Sequence, residues 1–375
     1  MILILHNRYR AAGGEERAVD DLAALLRRRG HEVEVLERSS DGLGRVQAAR
    51  ALLEGGFDPG EVADIVRRRG ASVVHAHNIH PLFGWRALAA ARDAGARTVL
   101  HLHNYRLFCA IGVAYRDGAT CFRCRRGYTR PGLRLRCRGS LPEAAVYALA
   151  LRRQQPPLFD HVDQFIAVSD ALASHLRDLG LPSPLTATLP NFLPDDQFAE
   201  RSRAGAGEFA LGAGRLSEEK GFDTAIAAAR ASGVPLLIAG SGPDEPRLRG
   251  LAAGADVRFM GRLAPGTLAE LRMRAGVVLA PSRWEEPCPY SVLEAMASGV
   301  PVLASDRGGL PELVGEDAAL PATDPDAWSA ALSELWESPR LREERGEQAL
   351  ARARRRFGEA DYYEGLTRLY DGVSP

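Results

Sequence analysis

The chain has 375 residues, enough for two cores of ordinary size, and its 46% hydrophobic and 26% charged residues exclude a disordered polymer. Its 48 basic and 48 acidic residues cancel, so no global field draws it to nucleic acid or anionic lipid, and any such attraction must be local. The start, Met1-Ile-Leu-Ile-Leu-His6, lacks the basic and apolar regions of a secretory signal, and no run of about 18 apolar residues follows. The expected compartment is therefore the cytoplasm, with at most a peripheral place at the inner membrane face. There the five cysteines are expected as thiols or metal ligands.

In chain order, Ile2 to Leu5 reads as a buried strand, and Ala18 to Arg29 as a helix with Leu22, Leu25 and Leu26 on one face, stopped by Gly30. Val33 to Leu36, Val73 to Ala76, Thr98 to Leu102 and Phe165 to Val168 continue the strands, and Ser169 is placed to cap the helix carrying Leu172, Leu176 and Leu179. After Pro190-Asn191-Phe192-Leu193-Pro194, the polar, Gly-rich stretch from Asp195 to Gly207 reads as a linker. A second series follows: Phe209 to Ala213, Leu236 to Ala239, Val257 to Met260, Val277 to Ala280 and Val302 to Ala304. From Asp326 the pattern is helical, with Trp328, Leu332 and Leu335 on one face. Strands alternating with helices predict an α/β protein of two Rossmann-like domains with parallel sheets. The expected domains are 1–190, with an insertion at about 105–140, then 191–355, and a helical tail at 356–375 that crosses back to the first domain.

The second half holds the densest chemistry. In Pro281-Ser-Arg-Trp-Glu-Glu286-Pro-Cys-Pro289-Tyr290-Ser291-Val-Leu-Glu294, a strand end runs through a Pro-rich turn into a helix that begins near Tyr290 or Ser291 and stops at Gly299. Free N–H groups at that helix start form a site for phosphate. Glu294 lies in reach of ribose-type hydroxyls, and Glu286 of sugar hydroxyls. In Gly212-Ala-Gly214-Arg215-Leu-Ser-Glu-Glu-Lys220-Gly221, Arg215 and Lys220 supply positive charge for a diphosphate. A surface ion pair of Arg215 with Glu218 or Glu219 is the plainer alternative. A nicotinamide site is not expected: Gly212-Ala-Gly214 is followed by Ser217, and Gly240-Ser-Gly242 by Glu245, where a third glycine is needed.

The ordered set Gly-Arg-Leu-x4-Gly, Glu-x7-Glu-Ala-Met-Ala-x-Gly-x-Pro-Val and Asp306-x-Gly-Gly309-x-Pro-Glu312 closely resembles the retaining glycosyltransferases of family 4, which have the GT-B fold with two sheets facing a central cleft. The resemblance covers almost the whole chain. It implies Arg215 and Lys220 on the diphosphate, Glu294 on the ribose, and Glu286 on the transferred sugar. The N–H groups of Tyr290 and Ser291 would meet phosphate or sugar oxygens beside Pro289, and the backbone of Met260, Gly261 and Leu263 would face the base. Many relatives have Phe-Gly where this chain has Cys288-Pro289.

The first half supplies the other side. Gly13 and Gly14 follow the first strand, where backbone can approach a ligand closely; the family's matching turn faces the donor phosphate. His103 resembles the family histidine that approaches the donor sugar, whereas His75 and His101 are expected in the sheet packing. His77 and Asn78, with Ser169 and Asn191, are acceptor-side candidates. Within family 4 the chain resembles a subgroup with a Gly-Gly-Glu turn, a His-Asn-Tyr-Arg-Leu segment and following cysteines. Those cysteines, Cys109, Cys121, Cys124 and Cys137, form C-x11-C-x2-C-x12-C, in which structural zinc competes with disulfides, redox chemistry and free thiols. The same insertion carries eight arginines from Arg116 to Arg138 against one acid, Asp117, followed by an apolar stretch from Pro142 to Leu151. That suits anionic lipid or a lipid-linked pyrophosphate acceptor, and equally a solvated loop beside a core helix. Nucleic acid fits poorly because stacking aromatics are few.

The resulting expectation is transfer of a hexosyl unit from a UDP- or GDP-type sugar to an acceptor hydroxyl with retained configuration. The resemblance implies that the departing phosphate takes the acceptor proton, with His103, Arg215, Lys220 and Glu286 as the catalytic set and no catalytic metal. A sugar-nucleotide epimerase of the same architecture and a catalytically silent binding module are the rivals.

Overall fold

The computed structural model describes residues 1–8 and 13–372, in two compact units. The first comprises Met1–Ala114, Cys121–Asn191 and the segment from Tyr362; the second comprises Tyr115–Thr120 and Phe192–Asp361. Among the described residues no helix is long and apolar enough to cross a membrane.

The strands in chain order are β1 (Ile2–Arg8), β2 (Val33–Ser39), β3 (Val73–Ala76), β4 (Arg97–Leu102), β5 (Tyr115–Arg116), β6 (Ala119–Thr120), β7 (Gln164–Ala167), β8 (Thr186–Thr188), β9 (Phe209–Ala213), β10 (Leu236–Ala239), β11 (Val257–Gly261), β12 (Ala275–Ala280), β13 (Val302–Ser305) and β14 (Ala319–Leu320). In the first unit β2-β1-β3-β4-β7-β8 form one sheet, parallel throughout. β1 and β3 are buried on both faces and carry Val, Ile, Leu and Ala on both, the pattern of a parallel sheet covered on either side.

The second unit repeats the plan as β11-β10-β9-β12-β13-β14, again parallel. Its strand order reverses between β9 and β12, and α/β sheets bind ligands beyond the carboxyl ends of the strands at such a point. One core packs Phe222, Ile226, Leu236, Ile238, Leu279, Trp328 and Leu332 together. The expected one-sided face of Trp328, Leu332 and Leu335 is its outer wall, on helix Pro325–Glu337.

Two expectations are corrected. The stretch from Asp195 to Gly207 is no free linker. The Ser202 N–H donates to Glu347 (2.7 Å), the Ser202 hydroxyl donates to the Gly299 carbonyl (2.6 Å), and the Gly205 N–H donates to Glu343 (3.2 Å), so long-range partners tie down a segment whose composition reads as flexible. The insertion is divided: its tip, the antiparallel β5–β6 hairpin, belongs to the second unit, while its cysteines belong to the first. The apolar stretch after it lies in the longer helix Leu141–Asp160, capped by Ser140, whose hydroxyl accepts from the Glu143 N–H.

Candidate functional site

At the switch point of the second unit, the loops after β9 and β12 interlock. The Arg283 N–H donates to the Glu219 carbonyl (2.8 Å), and a Cβ on Gly221 would lie 2.0 Å from the Pro281 carbonyl oxygen, so only glycine permits this approach. The interlock brings together Lys220 and Glu286, 66 residues apart: Nζ lies 2.8 Å from both carboxylate oxygens. Glu286 is 5% exposed. It also accepts from Ser282 Oγ and Trp284 Nε1, each at 2.7 Å, so its charge is dispersed over four donor contacts. Lys220 Nζ stands 5.6 Å from the centroid of the Trp284 ring.

The Asp306-x-Gly-Gly309 motif clasps this loop from behind. The Gly309 N–H donates to the Glu286 carbonyl (2.7 Å), and the Gly308 N–H to Glu285 Oε2 (2.8 Å). The other oxygen of Glu285 accepts from Thr120 Oγ1 (3.0 Å), so the hairpin of the cysteine insertion is anchored on the residue next to Glu286.

Helix Tyr290–Ala297 starts where expected, with Pro289 as its extended first cap and no side chain capping its N-terminus. Glu294, expected near a ribose, is hydrogen-bonded by Arg272, whose Nε also donates to Ser298 Oγ (3.2 Å). Arg215 pairs with Glu219, as its plainer reading had it, yet keeps 58% of its side chain exposed and available to an anion. Met260 is exposed on β11, and the chain turns at Gly261 with φ +65°. Burial opposes ionisation of Asp223, but Arg283 and Arg247 outweigh it and hold the carboxyl below its usual range.

In the first unit, Gly13 caps helix Gly14–Arg28, and its N–H donates to Glu16 Oε2 (2.7 Å). His103 does not stand apart from His75 and His101. Residues two apart in extended chain share a face, so His75 in β3 and His77 just after it, with His101 in β4 and His103 just after it, form one column, with ring centroids 4.5 to 5.4 Å apart. Burial drives His75, His77 and His103 well below the ordinary histidine range and His101 to about 3, the nearby Leu189 carbonyl opposing only slightly from outside hydrogen-bonding geometry. The neutral imidazoles are stitched by His77 Nδ1 to His103 Nε2 (2.9 Å) and His75 Nδ1 to Tyr370 Oη (2.7 Å).

All four acceptor-side candidates are buried, His77 in the column just described. The Asn78 amide donates to the Asn7 carbonyl (2.6 Å), Ser169 Oγ caps its helix by accepting from the Leu172 N–H (3.2 Å), and Asn191 is 6% exposed. The four insertion cysteines are half-buried and free of disulfides. Burial, with the neighbouring thiols of Cys109, Cys137 and Cys121, pushes Cys124 up to about 11.

Sequence reasoning missed Arg272, Ser282 and Trp284. Arg272 carries no local signal, because its partner lies 22 residues on. Ser282 and Trp284 precede Glu286 at alternating positions after a strand end, and that alternation could have marked them.

Two family models divide the chain. Residues 12–197 match Glycosyltransferase Family 4, and residues 195–352 match Glycosyl transferases group 1. A Salmonella typhimurium protein named as a colanic acid biosynthesis glycosyltransferase is 31% identical over 230 residues, 56% of this chain and 56% of that protein. The chain thus spans about half of that relative's length. A D-inositol 3-phosphate glycosyltransferase of Mycobacteroides abscessus is 33% identical over 192 residues, 47% of this chain and 42% of that one. Among solved structures, Anabaena HepE in complex with UDP superposes with a TM-score of 0.68 at 18% identity, covering 99% of both chains. Sucrose-phosphate synthase from Thermosynechococcus elongatus superposes at 0.72 with 19% identity, covering 99% of this chain and 98% of that one. At these identities the structural likeness establishes the GT-B fold alone.

Proposed function

Because the chain joins a glycosyltransferase family 4 domain to a group 1 domain on the GT-B fold, we propose that it transfers a hexosyl unit from a UDP- or GDP-type sugar to an acceptor hydroxyl with retained configuration. The observation that carries this reading is the Lys220–Glu286 pair, held at the β9/β12 switch point on the loop that leads into helix Tyr290–Ala297. A leaving nucleoside diphosphate gains charge in the transition state. Arg215, Lys220 and the N–H groups of Tyr290 and Ser291 are the donors that would stabilise it. Glu286 would then accept from sugar hydroxyls, exchanging its lysine contact as Lys220 turns to the phosphate. Glu294, braced by Arg272, would hold the ribose, and Met260 to Leu263 the base. The phosphate itself would take the acceptor proton.

The acceptor in this reading is a lipid-linked or growing polysaccharide at the cytoplasmic membrane face, which the arginine-rich insertion and the exposed Tyr128, Leu141 and Leu149 favour. Cys109, Cys121, Cys124 and Cys137 would hold a structural zinc as thiolates, each losing its proton on binding. Among the described residues, the gathered set of possible ligands is His75, His77 and His101, whose ligand atoms lie within 4.8 Å of one another.

Incubating the protein with a panel of nucleotide sugars, with and without lipid-linked acceptors, tests the reading. Nucleotide release that rises with acceptor supports transfer. Isomerised donor without acceptor would make it an epimerase, and binding without turnover a silent module.

A further inference from the structure

The column of imidazoles contains a set of atoms that packing alone leaves unanswered. His75, His77 and His101 are 0%, 3% and 2% exposed. Their ligand atoms all lie within 4.8 Å of one another. His75 Nε2, His77 Nε2 and both ring nitrogens of His101 are buried without a hydrogen-bond partner. A buried polar atom without a partner is costly, and this many in one place is unusual.

The contacts that do exist accommodate the tautomers a ligand set needs. His75 Nδ1 lies 2.7 Å from Tyr370 Oη, and His77 Nδ1 lies 2.9 Å from His103 Nε2. With each Nδ1–H donating along these contacts, both Nε2 atoms carry lone pairs. Histidine ligands characteristically have this outer support, in which the second ring nitrogen is held by a hydrogen bond. Neutral imidazoles also need lose no proton to bind an ion.

We propose that His75, His77 and His101 form a buried site for a borderline divalent cation, zinc in the first instance. Three neutral nitrogens and no thiolate suit zinc, copper or nickel, and exclude calcium and magnesium, which take oxygen. Three ligands of a tetrahedral zinc, at about 2.0–2.1 Å each, stand about 3.3 Å apart. The fourth position falls to a small ligand or to His6, which is 0% exposed and whose ring nitrogens make no hydrogen bond. Beside it, Glu16 Oε1 lies 3.7 Å from His6 Nε2 and places a buried negative charge next to the column. Such an ion would cross-link β3 and β4, and through Tyr370 would hold the C-terminal helix on the first unit. The site shares no residue with the four cysteines, and through His77 it adjoins His103.

The test first breaks up the cysteine set by removing its central pair, so that a four-thiolate site cannot be mistaken for that of the histidines. Full-length Cys121→Ser/Cys124→Ser protein is purified from zinc-supplemented and cobalt-supplemented cultures and analysed for bound metal. The expected result is about one equivalent of metal per chain. The cobalt form should show visible d–d absorption without sulfur-to-metal charge transfer, and chelation should lower its Tm by several degrees. Adding His75→Gln or, separately, His101→Gln should remove the metal and the chelator effect while circular dichroism still reports a folded chain. A folded cysteine variant with less than about a tenth of an equivalent overturns the site, as does full metal retention in a folded histidine variant. If both histidine variants fail to fold, metal content and cobalt spectrum of the cysteine variant decide alone.

Discussion

Replacing Lys220 by methionine keeps most of the side-chain stem and removes the ammonium group from Glu286. The carboxylate, whose side chain is 6% exposed, would keep only Ser282 Oγ and Trp284 Nε1, each at 2.7 Å. A net charge-assisted hydrogen bond contributes about 1.5–3 kcal/mol, and breaking a fully buried pair costs about 3–5 kcal/mol. Lys220 is 20% exposed, so water enters and repays part of that loss. The expected cost is about 2 kcal/mol, or about 4–8 °C in the transition of the second unit. Urea titration and calorimetry read it. The double variant Lys220→Met/Glu286→Gln should recover at least half of the loss, because the unpaired charge is gone. Turnover should behave differently: donor-dependent nucleotide release should fall about 10²–10³-fold in both variants, since the cation and the sugar acceptor are both needed in the transition state. A Lys220→Met protein within about 0.5 kcal/mol of wild type and within about threefold in kcat would refute the reasoning.

Gly308→Ala should be severe, because Gly308 has φ +56° and a Cβ there would lie 2.4 Å from the Glu286 carbonyl oxygen. A stability loss above about 2 kcal/mol in urea is expected, with donor affinity falling as the Glu286 loop shifts. Trp328→Ala empties the centre of the second core, where the indole is fully buried and its Nε1 donates to the Pro321 carbonyl (3.0 Å). It should cost about 3–5 kcal/mol by urea titration. His80 is held down to about 4 by burial, with Arg106 adding to the effect. Its folded pKa lies below the unfolded value of about 6.5, so the unfolded chain binds the extra proton, and stability is lost as pH falls from about 6.5 to about 4. Tm measured across that window should slope less steeply in His80→Asn than in wild type.

Local pattern determined much of this protein. Apolar runs fixed the core strands, because a strand covered on both faces must be apolar throughout. Gly299 and Pro289 bracketed the helix whose N-terminus lies at the switch point, and the glycines of the Asp306 motif marked where backbone must meet backbone. What pattern could not carry is which charges meet. Glu286 and Lys220 were both singled out, but their 2.8 Å contact spans 66 residues and exists only because β9 and β12 lie side by side. Glu294 looked free on its helix until Arg272 came against it from another element. His75 and His101 looked like packing and His103 like chemistry, yet one pleat put all three on a single face. Periodicity is a local property, legible one residue after the next. Charge pairing and ligand sets are properties of space, decided when the sheet brings distant strand ends together.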